Sequence, residues 1–379
     1  MQIKTTDNGR RHRRALWIDD TEVAHLWVID YTLRIASAEV RMAGIGGVHT
    51  EREHRMKGYM RHLFEDTLDY MQREGYDVSM LFGIPNFYTK FGYATAMPAH
   101  RFTIKTRDAE DAQPHAAVYP SRPITAGDMP AIVALYNQSN ATRTGTLVRD
   151  TATFTAFDKG TDWSVGAETA LWEDAGGRLL AYAVWDRART EVNIAELAAV
   201  DPALFPTLLY HFAQQAIEKR CEAVTAYVPP DHAFAEYAQR YGITWTIECP
   251  RHGDGMLRIF NQKPLFKKLR TMLADRWART HQAEDSITLT IQTDLDATTL
   301  AFSAAGCKIV ADPASAASRG SSPARLDLSQ DKLVQLVMGY RSVSDVVNSA
   351  DVTLAGAALP LLKALFPKQV AFMWKPDYF

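Results

Sequence analysis

The sequence has few cysteines and almost no excess charge of either sign. Its three cysteines, Cys221, Cys249 and Cys307, lie far apart, and no Cys-x-x-Cys or histidine-rich pair gives the spacing of metal ligands. We therefore expect no zinc site and interpret the cysteines as reduced packing residues of a cytoplasmic protein. The 42 basic and 44 acidic side chains nearly cancel, which gives no global reason to expect nucleic-acid or membrane-surface binding.

Long hydrophobic runs are also missing. No stretch reaches the roughly eighteen apolar residues of a membrane-spanning helix. The N-terminus is polar and basic at residues 8–14 and has no apolar run, so no signal peptide is predicted, and these residues are expected to form a solvated arm. What is present is an ordinary globular composition, with 379 residues of which 47% are hydrophobic. That length predicts two or three domains, each with its own core.

Residues 55–60 form the most informative local pattern. They follow the apolar, glycine-rich run 42–48 and are predicted to open a helix, so that a strand, a short basic turn and a helix follow one another. The first N–H groups of a helix have no intrahelical partner and carry partial positive charge, which suits a phosphate group. Gly58 would let the backbone approach such a group closely, and three basic side chains would add attraction: Arg55, Lys57 and Arg61.

Periodicity predicts the elements around this turn. Partial period-two alternation indicates three strands, at 15–18, 24–31 and 40–50. A helix is predicted from about 55 to 74, because apolar residues recur on one face at helical spacing. The run 77–82 then predicts a buried parallel strand, followed by a short helix that holds Tyr88.

The same order of elements is predicted again from about residue 122, after a polar linker at 106–116. Where the phosphate turn would lie, residues 200–205 contain no basic side chain, and Asp201 would repel a phosphate. From about residue 266 a basic amphipathic segment leads into several short strands, a surface loop at 313–323 and a helix capped by Ser329. We therefore expect a repeated scaffold without a second phosphate site, followed by a domain of a different kind.

A second motif makes the pattern specific. The segment Phe87-Tyr88-Thr89-Lys90-Phe91-Gly92-Tyr93 follows the Arg-x-x-Gly helix start and the strand after it. Together they resemble motifs A and B of the GNAT acyl-CoA transferases, in the form found in the enhanced-intracellular-survival (Eis) N-acetyltransferases. The resemblance implies an α/β (α+β) fold with two tandem GNAT-like mixed-sheet domains, at 1–110 and 117–262, and a sterol-carrier-like domain at 266–379. The second GNAT-like domain would be degenerate.

The resemblance also implies a donor site for acetyl-CoA and no metal. The strand backbone at Val48, His49 and Thr50 would pair with the pantetheine arm like an added strand. The pyrophosphate would be held by the turn and the start of the helix, which comprise Arg55, Met56, Lys57, Gly58, Tyr59, Met60 and Arg61.

Two groups are implied in the chemistry of transfer. Tyr88 would be the general acid that protonates the leaving thiolate, although the aromatic residues of this segment could also be core residues. The family ends in an aromatic residue whose terminal carboxylate serves catalysis, and this chain ends in Phe379. An apolar tail suggests a buried anchor, and burial would raise the basicity of that carboxylate. Weaker candidates are three histidines, His49, His54 and His62, and three aspartates, Asp19, Asp20 and Asp30.

The predicted first domain departs from the family at its start. Only about fourteen residues precede the first predicted strand, so the usual opening strand and helices are expected to be absent. The acceptor cleft would then be open or covered by another subunit. The leading interpretation is an acetyl-CoA-dependent N-acetyltransferase for a primary amine of a small molecule. A non-catalytic acyl-CoA or lipid-binding protein and a protein-lysine acetyltransferase stay open as alternatives. Family resemblance further implies a homo-oligomer, namely a hexamer.

Overall fold

The computed structural model describes residues 1–113, 119–280, 286–310, 324–356 and 358–379. The loop predicted at 313–323 lies outside these ranges, as do residues 114–116 of the predicted linker. The described part of the chain forms three mixed α/β units, built on sheets of seven, seven and five strands. Within those ranges, no helix is both long enough and apolar enough to span a membrane.

The first sheet has the strand order β1-β2-β3-β4-β5-β14-β6. Its strands are β1 (Gln2–Asn8), β2 (Arg11–Ile18), β3 (Thr21–Ile35), β4 (Ala38–Thr50), β5 (Val78–Gly83), β6 (Ala94–Met97) and β14 (Asp254–Ile259). Helix α1 (Tyr59–Arg73) lies on one face and buries four residues at helical spacing, Leu63, Phe64, Thr67 and Met71. Strand β5 is parallel to β4 and buried, as the sequence predicted.

The second sheet repeats this arrangement, in the order β13-β7-β12-β11-β10-β9-β8. Its strands are β7 (Ala99–Lys105), β8 (Ser121–Arg122), β9 (Ala167–Glu173), β10 (Leu179–Asp186), β11 (Asn193–Ala199), β12 (Ala223–Ala226) and β13 (Ile243–Glu248). The helices of this region are α2 (Thr106–Glu110), α3 (Met129–Ser139), α4 (Phe205–Glu218) and α5 (Ala233–Ala238). The predicted linker therefore begins as a short helix.

The third sheet has the order β17-β16-β15-β18-β19. Its strands are β15 (Ile287–Gln292), β16 (Ala297–Ser303), β17 (Gly306–Val310), β18 (Ala324–Asp327) and β19 (Thr353–Ala355). The α-helices in the described part of this unit are α6 (Gln262–Ala278), α7 (Gln330–Val337), α8 (Val343–Val347) and α9 (Ala358–Leu365). Their apolar side chains share one core with the first sheet, where Met42 and Met80 of β4 and β5 join Phe266 of α6. The third unit is thereby packed against the first.

The N-terminus is not a solvated arm. Residues 2–18 form a hairpin, and Arg14 is only 4% exposed, with its Nε donating to Thr67 at 3.1 Å and a second nitrogen donating to Thr5 at 2.9 Å. The opening strand that the sequence was expected to lack is therefore present as β1. It connects to β2 by a tight turn, and residues 2–50 contain strands and turns without a helix.

The first two sheets exchange a strand. Strand β7 leaves the first sheet and pairs with β12 and β13 of the second, while β14 returns from the second unit to pair with β5 and β6 of the first. A boundary near residue 110 therefore does not separate the two sheets. Each of the two sheets therefore contains a strand from the other unit, which links the two units through backbone pairing within each sheet.

The cysteines are free thiols in three different environments. Cys307 is buried, Cys221 is half-buried and Cys249 is exposed, so the packing interpretation is wrong for Cys249. Among the described residues, no group of three or more histidine, cysteine, aspartate or glutamate side chains is placed to hold a metal ion.

Candidate active site

Strands β4 and β5 separate at the centre of the first sheet. Their pairing runs from Met42 opposite Val78 to Ile45 opposite Leu81, yet β4 continues to Thr50. An irregularity in the pairing of β3 with β4 accompanies Gly47, whose φ is +57°. Beyond Ile45 the backbone of β4 has no partner strand on the β5 side. Val48, His49 and Thr50 lie along this open edge, where an extended ligand can add as a strand.

The turn before α1 is built mainly of backbone. The helix begins at Tyr59 and not near Arg55, because Met56 (φ +63°) and Gly58 (φ +81°) are left-handed and interrupt helical hydrogen bonding. Gly58 is the N-cap residue, no side chain caps the helix, and its first turn contains no acidic residue. The N–H groups of residues 59–61 are therefore free to bind an anion. Arg55 braces the turn, with Nε donating to the carbonyl of Thr50 at 3.1 Å.

Tyr88 lies in a short 3-10 helix, Tyr88–Phe91, beside the end of β5. Its ring covers Gly83, where a Cβ would come within 2.7 Å of the ring, and its centroid is 5.4 Å from that of Phe64. Burial raises the pKa of Tyr88, so its hydroxyl stays protonated at neutral pH. In the described structure that hydroxyl makes no hydrogen bond and remains available as a donor.

Tyr93 is the other tyrosine of the motif, and its hydroxyl is occupied. It is buried and donates to Ser79 Oγ at 2.7 Å, and Ser79 donates in turn to the carbonyl of Ala43 at 2.8 Å. Burial raises the pKa of Tyr93. These hydrogen bonds connect the motif to strands β4 and β5. They give Tyr93 a structural role.

The C-terminal tail reaches the split between β4 and β5. The ring of Phe379 stacks on Tyr31 with centroids 5.0 Å apart, and a Cβ at Gly44 would lie 2.8 Å from both rings. A Cβ at Gly46 would lie 3.2 Å from the terminal carbonyl carbon of Phe379. Tyr378 stacks on Phe82 of β5 at 3.7 Å. Gly44 and Gly46, at alternate positions of β4, thus have no side chain on this face, and the tail can pack directly against the strand backbone. The sequence analysis did not use this alternation of glycines.

A buried ionic cluster anchors this tail to the second sheet. Asp377 accepts hydrogen bonds from Arg149 Nε at 2.8 Å and from the Tyr136 hydroxyl at 2.6 Å. Arg149 also forms a two-pronged pair with Glu196 at 2.7 and 2.5 Å. The three charged side chains are at most 3% exposed. Because the Asp377 carboxylate is fully engaged, it is not a free proton acceptor.

Two further contacts hold the last residues. Lys159 donates to the backbone carbonyl of Tyr378 and packs over the ring of Trp163 at 3.5 Å. Burial lowers the pKa of Lys159 to about 8. The indole N–H of Trp374 donates to Asn140 Oδ1 at 3.0 Å. The second unit therefore holds the tail. The sequence analysis did not select these residues, because each is more than two hundred positions in sequence from the tail residue that it contacts.

Replacing Arg149 with methionine is expected to lower the free energy of unfolding by about 3–5 kcal/mol, because two buried carboxylates lose their counterion. The tail should also become accessible, so carboxypeptidase should release Phe379 faster. Urea unfolding and timed digestion measure the two effects. The control is Arg122→Met, which breaks a more exposed ion pair with Asp128 and Glu173 and should change little. An Arg149→Met protein of unchanged stability would contradict the anchoring role.

The histidines and aspartates considered as bases are less well placed. His49 is exposed and faces Glu51 at 3.5 Å, and His62 is exposed on α1. His54 is half-buried, and its Nδ1 is enclosed without a hydrogen-bond partner among the described residues. Asp30 lies inside β3 and pairs with His12 and Arg41. Asp19 occupies a left-handed turn position and Asp20 is exposed in the same turn.

A pocket of about 360 Å³ lies beside the tail, on the sheet face that carries Phe379. We call it the tail pocket. Its inner wall contains Ile29 and Tyr31 of β3. Its other walls come from residues 8–11 of the N-terminal hairpin, from the segment 147–163 of the second unit and from residues 376–378. Segments of the same chain that are far apart in sequence therefore wall this face of the sheet.

The equivalent corner of the second sheet has no free helix N-terminus. Asp201 caps the helix that follows β11, and its side chain accepts from the N–H of Ala203 at 2.8 Å. A carboxylate already occupies the position where an anion would bind.

Residues 7–96, from the end of β1 to β6, match the family model described as "Acetyltransferase (GNAT) domain". No curated protein sequence matches the chain. Among solved structures, a GCN5-related N-acetyltransferase from Kribbella flavida is 18% identical, with a TM-score of 0.72 over 97% of this chain and 88% of that one. A GCN5-related N-acetyltransferase from Anabaena variabilis is 18% identical, with a TM-score of 0.74 over 97% and 89%.

The fold is also similar to that of Eis1 from Mycobacterium abscessus, at 15% identity and a TM-score of 0.66 over 98% of this chain and 91% of that one. At these identities the structural likeness shows a shared fold. The family match is what carries the chemistry, and it covers the strands and the turn that form the split. Together they support acetyl transfer of the GNAT type and make this chain an acyltransferase.

Proposed function

We propose that this chain is an acetyl-CoA-dependent N-acetyltransferase that acts on a primary amine of a small molecule by direct attack. One observation carries the proposal: a turn with free helix N–H groups and the chain end at the half-buried Phe379 both lie at the split between β4 and β5. The donor would add to the open edge of β4 at Val48, His49 and Thr50. The turn and helix start, residues 55–61, would hold its pyrophosphate.

Donor and acceptor would approach from opposite faces of the sheet. Side chains alternate along a strand, so Phe82 and Gly83 of β5 face opposite ways. Tyr88 covers Gly83 on the face that carries α1, whereas Phe379 contacts Phe82 on the face that carries the tail pocket. The split lets a thioester on one face meet an amine on the other.

The groups at the split fit the proton transfers that this reaction requires. The amine must be neutral to attack the thioester carbonyl, and the carboxylate of Phe379 would accept its proton, directly or through a water. The departing thiolate would take a proton from the free hydroxyl of Tyr88. Neither step needs a metal ion or a covalent enzyme intermediate.

The covered tail pocket favours a small acceptor over a protein substrate. Its walls come from the first sheet, the segment 147–163 and the tail, and a pocket of about 360 Å³ is at the lower end of the range for small-molecule sites.

Replacing Gly58 with valine is expected to weaken acetyl-CoA binding at least about tenfold, which is ~1.4 kcal/mol. The φ of +81° disfavours a β-branched residue, and the added side chain would project into open space at the phosphate turn. Calorimetric titration with acetyl-CoA measures the affinity.

The matched control is Gly75→Val at the other end of α1. Gly75 has a φ of +74° and equally open surroundings, so both variants should lose similar stability. Only the change at Gly58 should reduce affinity. A folded Gly58→Val protein with wild-type affinity would remove the donor site from this turn.

A further inference from the structure

The tail pocket carries an excess of positive charge that the proposed transfer does not use. Besides Arg149, three cationic side chains line it, namely Arg10, Arg11 and Lys159. None of them lies within 4 Å of a carboxylate oxygen in the described part of the chain. This distinguishes them from Arg149, which also lines the pocket but is neutralised by its carboxylate partners.

Arg10 is held in place by neutral groups alone. Its Nε donates to the backbone carbonyl of Asp30 at 2.9 Å, a second nitrogen donates to the same carbonyl at 2.5 Å, and the third donates to Thr153 Oγ1 at 2.5 Å. The guanidinium lies 5.1 Å from the centroid of the Tyr31 ring. Its position is fixed while its charge remains uncompensated.

Arg11 is exposed and makes no side-chain hydrogen bond to any described residue. It is nevertheless one of the residues that line the tail pocket. Arg11 therefore has its full set of donors free for a ligand.

Lys159 completes the group on the opposite wall. It is 4% exposed, and its partners are a backbone carbonyl and an indole ring. Two acidic residues also line the pocket, namely Asp377, which is engaged by Arg149, and Asp158, which is exposed, and both act on Lys159 only at longer range. The lining contains four basic and two acidic side chains, which leaves a positive excess around a small, partly open volume.

We propose that the acceptor is a small primary amine that also carries a carboxylate or a phosphate, and that Arg10, Arg11 and Lys159 bind its anionic end. This inference rests on the proposed transfer. The amine would point towards the terminal carboxylate of Phe379, which Tyr31 and Ile29 separate from the arginines. A molecule with opposite charges at its two ends matches this polarity, whereas a polycationic amine meets repulsion in the pocket.

The test compares acceptors of equal length by following thiol release from acetyl-CoA. The probes are ω-amino acids from glycine to 6-aminohexanoate, their primary amides, the corresponding diamines and the aminoalkyl phosphates. Charge-assisted hydrogen bonds predict that kcat/KM for an anionic probe exceeds that for its amide by about ten- to a hundredfold, with the diamine poorer still. The relative rates of carboxylate and phosphate probes identify the anion.

A variant tests the residues themselves. Arg11→Gln should lower the ratio of kcat/KM for the acid to kcat/KM for its amide by about tenfold, mainly because the KM for the acid rises. The control is Arg107→Gln, which changes an exposed arginine on α2 outside the pocket and should leave the preference unaltered. Circular dichroism checks that both variants are folded.

Different results would overturn the proposed transfer and the proposed anionic acceptor. Transfer to amides or diamines at rates equal to or above those for the anionic probes overturns the inference and leaves the transferase intact. An unchanged preference in Arg11→Gln also overturns the assignment of that arginine. A protein that binds acetyl-CoA but releases no thiol with any amine overturns the transferase and this inference together.

Discussion

Turnover should fall about 10²–10⁴-fold when Tyr88 is replaced with phenylalanine, the usual range for the loss of a general acid. The ring that packs on Gly83 and Phe64 is kept, and the hydroxyl that is deleted has no hydrogen-bond partner to lose. Folding and acetyl-CoA affinity should therefore be nearly unchanged. Steady-state thiol release and calorimetry measure the two quantities.

Tyr93→Phe is the matched control for this prediction. It deletes a hydroxyl that donates to Ser79 in the buried interior, so it should cost about 1–3 kcal/mol of stability and preserve turnover. Equal losses of turnover in the two variants would argue against a specific role for Tyr88.

The choice of leaving group provides a second readout. An acetyl thioester of an acidic thiol, such as S-phenyl thioacetate, releases a thiolate that needs no proton. The ratio of wild-type to Tyr88→Phe rates should therefore shrink with this donor. A ratio that stays the same as with acetyl-CoA would mean that the hydroxyl acts in some other way than by protonating the thiolate.

Local periodicity predicted the elements whose pattern is carried by their own side chains. Helix α1 and the buried strand β5 are examples. The apolar residues of α1 recur at helical spacing, and β5 is a short apolar run. Strand β1 was missed because nearly all of its side chains are exposed, which leaves no alternation to detect. The start of α1 was predicted about four residues too early. Met56 has a left-handed backbone, and methionine is not a residue type whose presence predicts that conformation.

The strand exchange could not be predicted from either segment alone. Strands β7 and β14 have ordinary strand compositions, and the sheet each one joins is decided by the packing of the whole molecule. The same holds for the anchor of the tail. Arg149 looks like a surface residue in the sequence and is buried because Asp377, 228 positions later, folds back onto it.

The motifs did predict which parts of the candidate site would come together. The Arg-x-x-Gly turn, the Tyr88 segment and the chain end all lie around the split between β4 and β5. The family resemblance, and not a local motif, was the reason to expect the chain end there. The pocket beside these parts was not predicted, since its walls come from separate segments of the chain that share no local pattern.

The terminal carboxylate offers the largest expected effect of all. Adding two residues after Phe379 should abolish turnover, because the charge moves away from the split and the added atoms must enter a packed site. The terminal carbonyl carbon lies so close to β4 that a Cβ at Gly46 would come within 3.2 Å of it. Acetyl-CoA affinity should be nearly unchanged, since the donor turn is on the other side of the split.

A semisynthetic protein that ends in a carboxamide separates the effect of losing the negative charge from the effect of adding atoms. The amide has almost the same size as the acid but cannot accept the proton, so turnover should fall as far as in the extended protein while the tail stays seated. Resistance to proteolysis near Tyr378 checks the seating. The control is the same two-residue addition at Met1, which is 69% exposed and should be tolerated. Wild-type turnover in the carboxamide protein would show that the carboxylate is not the proton acceptor, and wild-type turnover in the extended one would show that the tail is not seated at the split during catalysis.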